Sequence, residues 1–239
     1  MKVSKSFLLI ITILGLCGNS VGQFLGDGPK QAVINSAHDL RNKFTGASQA
    51  CDFCHAPNKY GTLMPEPSSS WNVKVNPGPY RIYGGSPTFA GSATIRDPSA
   101  AGSANAAAYM TMVCLSCHDG TVTEAVFYNR VDLGREGSFT APNIGQSGGP
   151  GLSNDHPVDY VYSAALATAD GGLKAPLEGA AIRVPSVGAS ALPLFKDQPN
   201  DASGRVECAT CHNPHNNANG KFLRMANSGT ALCLNCHGT

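Results

Sequence analysis

Residues 208–215 read Cys-Ala-Thr-Cys-His-Asn-Pro-His, and the first five of them decide the fold. Two cysteines separated by two residues and followed at once by a histidine occur three more times, at 51–55, 114–118 and 233–237. This C-x-x-C-H pattern is the attachment motif of c-type haem. Its two thiols bond to the two vinyl-derived positions on one edge of the porphyrin, and the histidine that follows is held where it reaches the iron.

The four motifs assign twelve residues to haem binding. The cysteines expected to form thioether bonds are Cys51, Cys54, Cys114, Cys117, Cys208, Cys211, Cys233 and Cys236, and the proximal axial ligands are His55, His118, His212 and His237. Paired cysteines also form disulfides, zinc sites and dithiol redox sites, but none of these needs a histidine directly after the second cysteine. With 7 histidines in 239 residues, four such coincidences have a chance of roughly one in a million. We therefore predict four covalent c-type haems.

Three histidines outside the motifs are candidates for the distal axial ligands: His38, His156 and His215. Four six-coordinate irons need eight ligands, so one iron is left without a second histidine. His215 lies three residues after His212, and residues at this spacing project to one side of a turn, whereas two ligands of one iron approach opposite faces of a flat ring. We therefore expect His215 to ligate a neighbouring haem. The fourth motif, which begins 25 residues after the third, is the expected recipient.

The other two distal candidates lie in loops. His156 precedes Pro157, which favours extended backbone and suits a ligand that reaches inward from a loop. His38 lies ahead of every motif, where a terminal segment can reach either inward or outward.

The iron that lacks a second histidine takes a methionine or no sixth ligand. The candidates are Met64, Met110, Met112 and Met225. We select Met64, which follows the first motif in a proline-containing loop, although the commoner role of any one methionine is to fill the core. A thioether ligand would raise the reduction potential of that haem relative to one with two histidines.

The composition favours an irregular fold. Charged residues make up 14% of the chain and aromatic residues 7%, while the chain contains 27 glycines and 16 prolines. This balance argues against a helical bundle, a coiled coil and a parallel α/β enzyme, and the net charge of +1 is too small for a highly charged disordered chain. We predict a multihaem cytochrome c fold, mostly loop with short helices and little strand, organised around four covalent haems. One helix is predicted at Ser163 to Thr168.

Residues 1–22 have the pattern of a secretory signal peptide, with lysines before an apolar run that is too short to span a bilayer as a mature helix. A lipoprotein site at Cys17 is the alternative, but Leu16 stands where such sites have a small residue. Cleavage leaves 23–239 as a single tetrahaem domain, with 205–239 as a compact C-terminal unit that carries two motifs. Export places the protein outside the cell or on its surface, or alternatively in the periplasm, and no other stretch is long enough to cross a membrane.

Several segments together resemble the multihaem c-type cytochromes with CxxCHxPH motifs, and in particular the four-haem extracellular cytochrome filaments of the OmcE type. These segments are 36–40, 114–121, 154–158, 208–215 and 223–237. The resemblance implies identical subunits that assemble end to end with a continuous chain of haems. It also implies that a histidine near the mature N-terminus, here His38, ligates a haem of the adjoining subunit. The family has a histidine in the first motif where this chain has Asn58, which implies that the missing ligand belongs to the first haem.

Three functions are consistent with these features. The first is electron transfer along an extracellular conductive filament, and the second is electron transfer by a monomeric periplasmic or surface carrier. Other redox proteins or extracellular acceptors are the expected partners in both cases. The third is a multihaem reductase with an open iron, but near the first motif only Lys59 and Tyr60 could handle anions and protons, so we expect no enzyme.

The charge gives no support to nucleic-acid binding. Loss of Lys2 and Lys5 with the signal peptide turns the net charge of +1 negative, and ionised haem propionates lower it further. No basic stripe remains to contact phosphates, so nucleic acid is not an expected partner.

Overall fold

The computed structural model describes residues 30–44, 49–55, 72, 81–82, 106–119, 144, 151–152, 155–177, 192–195 and 204–238. All seven histidines and all eight motif cysteines lie within these ranges. The predicted signal peptide, Asn58 and Met64 lie outside the described residues.

Short helical segments carry most of the regular structure in these ranges. The α-helices are α1 (Ala106–His118), α2 (Ala164–Asp170) and α3 (Cys208–Cys211). Single turns of 3-10 helix occur at Lys30–Val33, Leu40–Asn42, Ala50–Phe53, Ser228–Thr230 and Cys233–Asn235. Within the described part of the chain, none of the helices has both the length and the apolar character needed to cross a membrane.

The strands are short and form two separate pairs. They are β1 (Arg81–Ile82), β2 (Gly151–Leu152), β3 (Tyr160–Tyr162) and β4 (Gly204–Val206). Strands β1 and β2 run parallel, and β3 and β4 run antiparallel. Over the described ranges, the architecture agrees with the predicted fold of short helices and little strand.

Helix α2 begins where the sequence predicts a helix. Ser163 caps its start, because its hydroxyl accepts a hydrogen bond from the backbone N–H of Leu166 at 3.1 Å. Gly171 ends the helix with φ 74°, a left-handed conformation that glycine adopts without a steric penalty. The prediction of a helix at Ser163 to Thr168 is confirmed, and the helix continues to Asp170.

A buried apolar cluster joins β3, β4, α2 and the segment 192–195. Its members are Tyr160, Tyr162, Leu166, Leu192, Leu194 and Val206. Cys211 and Cys236 pack against this cluster together with Leu173, Met225 and Leu232. The core therefore lies directly beneath the third and fourth motifs.

Hydrogen bonds attach the fourth motif to this core. The Tyr162 hydroxyl donates to the carbonyls of Lys174 at 2.5 Å and Cys236 at 3.3 Å. The backbone N–H of Lys174 donates to the Cys236 carbonyl at 2.7 Å, and its ammonium donates to the Leu234 carbonyl at 2.6 Å. Because these groups are partly buried, each bond also avoids the cost of an unpaired polar group.

We predict that Gly204→Ala destabilises the protein by about 1–3 kcal/mol, because an added methyl group overpacks the core. A Cβ at Gly204 would lie 2.6 Å from the Cβ of Leu194. At Gly172 the nearest atom would be a terminal oxygen of Asp170 at 3.2 Å, which can move aside, so Gly172→Ala is the matched control. Chemical denaturation of the haem-loaded variants measures both effects, and equal midpoints would contradict the prediction.

Candidate haem-binding sites

Each motif sits on a helical turn that presents its side chains together. The backbone N–H of the motif histidine bonds the carbonyl of the first cysteine at 2.9 Å in the first motif and 3.0 Å in the third and fourth. In the second motif the same residues form the last turn of α1. A single turn brings residues three and four apart to neighbouring positions, so the first cysteine lies beside the second cysteine and the histidine.

The second and third motifs are in direct contact. The thiols of Cys114 and Cys208 are hydrogen-bonded to each other. Beside them, the buried Thr111 hydroxyl donates to the buried Glu207 carboxylate at 2.5 Å and accepts from the Cys208 backbone N–H at 3.4 Å. Helix α1 is thereby joined to the start of α3.

Cysteines of neighbouring motifs also influence one another in the first and second motifs and in the third and fourth. Burial, with smaller contributions from Cys117 and Cys51, raises the pKa of Cys54 to about 12. Burial raises the pKa of Cys211 to about 11, with further contributions from Cys208 and Cys233. The thiols of the first and second motifs, and those of the third and fourth, are therefore close enough to affect one another electrostatically. All eight cysteines are free thiols in the structure.

His38 lies beside His118 of the second motif. The ring centroids are 6.1 Å apart and the ring planes meet at 75°. On another side, His38 stacks on Phe222 with centroids 4.4 Å apart and an interplanar angle of 17°. Burial is the largest cause that lowers the pKa of His38 to about 4, and the neighbouring His118 adds to it. The ring is therefore neutral at pH 7, the form in which imidazole binds metals.

A network of local hydrogen bonds holds the turn that carries His38. Its backbone N–H donates to the Ser36 hydroxyl at 3.2 Å, and that hydroxyl donates to the Val33 carbonyl at 2.6 Å. Asp39 accepts from the Arg41 guanidinium at 2.6 and 2.8 Å, which holds the pKa of this carboxyl well below its usual range. Within its own chain the His38 ring lies against His118 and Phe222, and ligation of a haem in an adjoining subunit, which the resemblance implied, stays a prediction.

His215 lies beside His55 of the first motif. The centroids are 6.2 Å apart and the planes are nearly parallel, at 14°. The backbone N–H of His215 donates to the Asn213 side chain at 3.0 Å, which holds the turn after the third motif. His215 is thus paired with another motif, as expected, but the expected recipient was the fourth motif and the structure shows the first.

His156 lies beside His237 of the fourth motif. Their centroids are 6.3 Å apart and the planes meet at 86°. The Nδ1–H of His156 donates to the Pro157 carbonyl at 2.8 Å, because a carbonyl can only accept. Nε2 then carries the lone pair that can bind a metal. Burial lowers the pKa of His156, which favours the neutral form of the ring.

His212 of the third motif, like His156, has its Nδ1 bonded to a backbone carbonyl, but the residues around it are different. Its Nδ1–H donates to the Lys221 carbonyl at 2.9 Å, which leaves Nε2 as the donor atom for a metal. Residues near Leu223 fold back on the motif, since His212 and Leu223 form an isolated antiparallel bridge. Each of the three histidines outside the motifs lies against a motif histidine other than His212.

The three ring pairs fit a haem iron held between two imidazoles. With metal–nitrogen bonds of about 2 Å, rings that bind one ion from opposite sides have centroids about 6 Å apart. The observed separations are 6.1, 6.2 and 6.3 Å. Each pair also combines one histidine of a C-x-x-C-H motif with one from elsewhere in the chain, which is the donor set of a c-type haem with two axial histidines.

Two contacts of the site were not anticipated from the sequence. Phe222 stacks on His38, and the Thr111–Glu207 hydrogen bond joins two motifs. Both join residues far apart in the chain, and neither lies in a local pattern that could have indicated it.

Residues 201–239 match a protein family described as the doubled CXXCH motif. No curated protein matches the chain. The matched segment carries the third and fourth motifs, which indicates covalently bound c-type haem in a multihaem cytochrome. This class of protein transfers electrons, as the motifs alone indicated.

We predict that Thr111→Val lowers stability by about 1–3 kcal/mol, because it leaves the buried Glu207 carboxylate with one hydrogen bond fewer. Thr168→Val is the matched control, since the Thr168 hydroxyl bonds the Ala164 carbonyl on the exposed face of α2. Denaturant midpoints of the haem-loaded proteins compare the two. The prediction fails if the control loses as much stability as Thr111→Val.

Proposed function

We propose that this chain is an exported tetrahaem c-type cytochrome that transfers electrons between closely spaced haems and transforms no substrate. The observation that carries the proposal is the set of three histidine pairs with centroids 6.1 to 6.3 Å apart. The match of 201–239 to the doubled CXXCH family supports the same class. Export rests on the pattern of residues 1–22.

The order of the motifs in space supports transfer along the chain of haems. The first and second motifs are close at Cys54 and Cys117, and the second and third are in contact at Cys114 and Cys208. The third and fourth are close at Cys211 and its neighbours. Because each thiol bonds to the edge of its own porphyrin, contact between cysteines of different motifs brings those edges together.

A c-type haem supplies an iron that cycles between the ferric and ferrous states. The protein holds that iron by residues of fixed orientation. The backbone carbonyls of Pro157 and Lys221 set the tautomers of His156 and His212, and Phe222 fixes the plane of His38. Buried apolar side chains within the motifs, such as Phe53 and Leu115, limit the access of water and thereby influence the reduction potential.

Two assembly states are compatible with this function. The segments that resemble the OmcE-type cytochromes favour a filament with identical subunits. The position of His38 favours a discrete periplasmic or surface carrier, because its ring lies 6.1 Å from His118 of the same chain. We propose the discrete carrier on this observation, and a filament would need subunit contacts other than ligation by His38.

We expect the purified protein to have the mass of residues 23–239 plus four haems, because each motif bonds one porphyrin. Intact-mass spectrometry after expression with cytochrome c maturation measures this value. Replacing both cysteines of one motif by alanine should remove the mass of one haem, and replacing Cys17 should change nothing in the mature protein. A mass with fewer than four haems would refute the tetrahaem proposal.

We expect His38→Ala to convert one additional iron to the high-spin state without changing the assembly state, because the ligand is lost within one chain. Electron paramagnetic resonance measures the spin states, and negative-stain microscopy shows the assembly. Asn42→Ala, an exposed residue of the same segment, is the control. Filaments of the wild-type protein that disappear in His38→Ala would instead establish ligation between subunits.

A further inference from the structure

We propose that the iron held by His212 is the one without a second histidine, and that in the reduced state it binds a small neutral ligand such as carbon monoxide. The inference rests on the proposed tetrahaem cytochrome and specifies which of its irons is open. It differs from the assignment to the first motif that Asn58 implied.

The number of histidines identifies the motif histidine that has no histidine partner. The chain has seven, and all of them lie in the described residues. His38 lies against His118, His215 against His55, and His156 against His237, with 6.1 to 6.3 Å between centroids. These three pairs use six histidines. His212 is the seventh.

Rearrangement of a neighbouring ring is opposed by the contacts that hold it. His38 is the strongest rival, since its ring is close enough to His212 to be affected electrostatically. Its stack on Phe222 at 4.4 Å and its backbone bond to Ser36 hold it at His118 instead. His215 lies against His55 with centroids 6.2 Å apart, and its backbone bond to Asn213 holds the turn that carries it.

The sulfur of Met225 is also engaged elsewhere. Met225 packs against the core beside Cys211, which places it close to the third motif. Its sulfur accepts a hydrogen bond from the Asn235 side chain at 3.0 Å. Asn235 is itself buried and bonds the carbonyls of Ala231 and Leu232, so the sulfur and its donor form a fixed pair.

His212 is prepared to bind iron from one side. Its Nδ1–H bond to the Lys221 carbonyl leaves Nε2 unprotonated and sets the direction of the ring. Among the described histidines none lies against His212, so an iron held by this ring and the four porphyrin nitrogens would have its sixth position open. Ferrous haem in that state binds neutral ligands, whereas an iron between two histidines has no vacancy.

The first measurement is a titration of the dithionite-reduced, haem-loaded wild-type protein with carbon monoxide. We expect one binding iron among four, seen as a change in the Soret band and as one high-spin ferric signal before reduction. If no iron binds, the sixth position is filled, by Met64 or by a second copy of the chain, and the inference is wrong. A haem count below four refutes the proposed function itself, so the two failures are distinguishable.

Two proximal-ligand variants identify the open iron. His212→Ala should leave the count at one, because it removes a ligand from an iron that is already open. His55→Ala should raise the count to two, because the iron of the first motif then keeps only His215 and gains an open position. The reverse result would assign the vacancy to the first motif and overturn the inference.

A crystal structure of the carbon monoxide complex of the wild-type protein decides the question if either variant fails to accumulate. We expect density for the ligand on the iron attached to Cys208 and Cys211. Density on any other iron, or a methionine on that iron, would contradict the inference.

Discussion

The proposed function depends on the requirement that two histidines approach one iron from opposite faces of a flat ring. A motif supplies the first histidine locally, but the second must come from another part of the chain. The pairs join residues 80, 160 and 81 positions apart, and they connect the N-terminal segment, the middle of the chain and the C-terminal unit. These separations are longer than any turn or hairpin spans, so iron ligation at the three pairs would provide long-range contacts for a chain poor in large apolar residues.

Local features of the fold could be predicted because they depend on a few adjacent residues. The C-x-x-C-H motifs indicated haem, and Ser163 followed by alanine and leucine indicated α2. The identity of each distal partner could not be predicted. His215 was assigned to the fourth motif from its proximity in sequence, but its ring lies against His55 of the first motif. Position along the chain does not determine which face of which ring a side chain reaches.

Which motif lacks a second histidine also could not be predicted from the sequence. Asn58 stands where the resemblance to the OmcE-type cytochromes implies a histidine, and this difference pointed to the first motif. The first motif nonetheless has a partner in His215, so a substitution at one motif is consistent with a vacancy at another. The ligand assignments in such a chain depend on one another, because a distal histidine that binds one iron is not available to any other iron.

The contact between Cys114 and Cys208 has a consequence for maturation. In a folded chain without haem, these two thiols could be oxidised to a disulfide that would block one attachment position in each of two motifs. An oxidising compartment favours that reaction. Porphyrin attachment before the second and third motifs meet would prevent this disulfide, because each of the two thiols would already be held in a thioether bond.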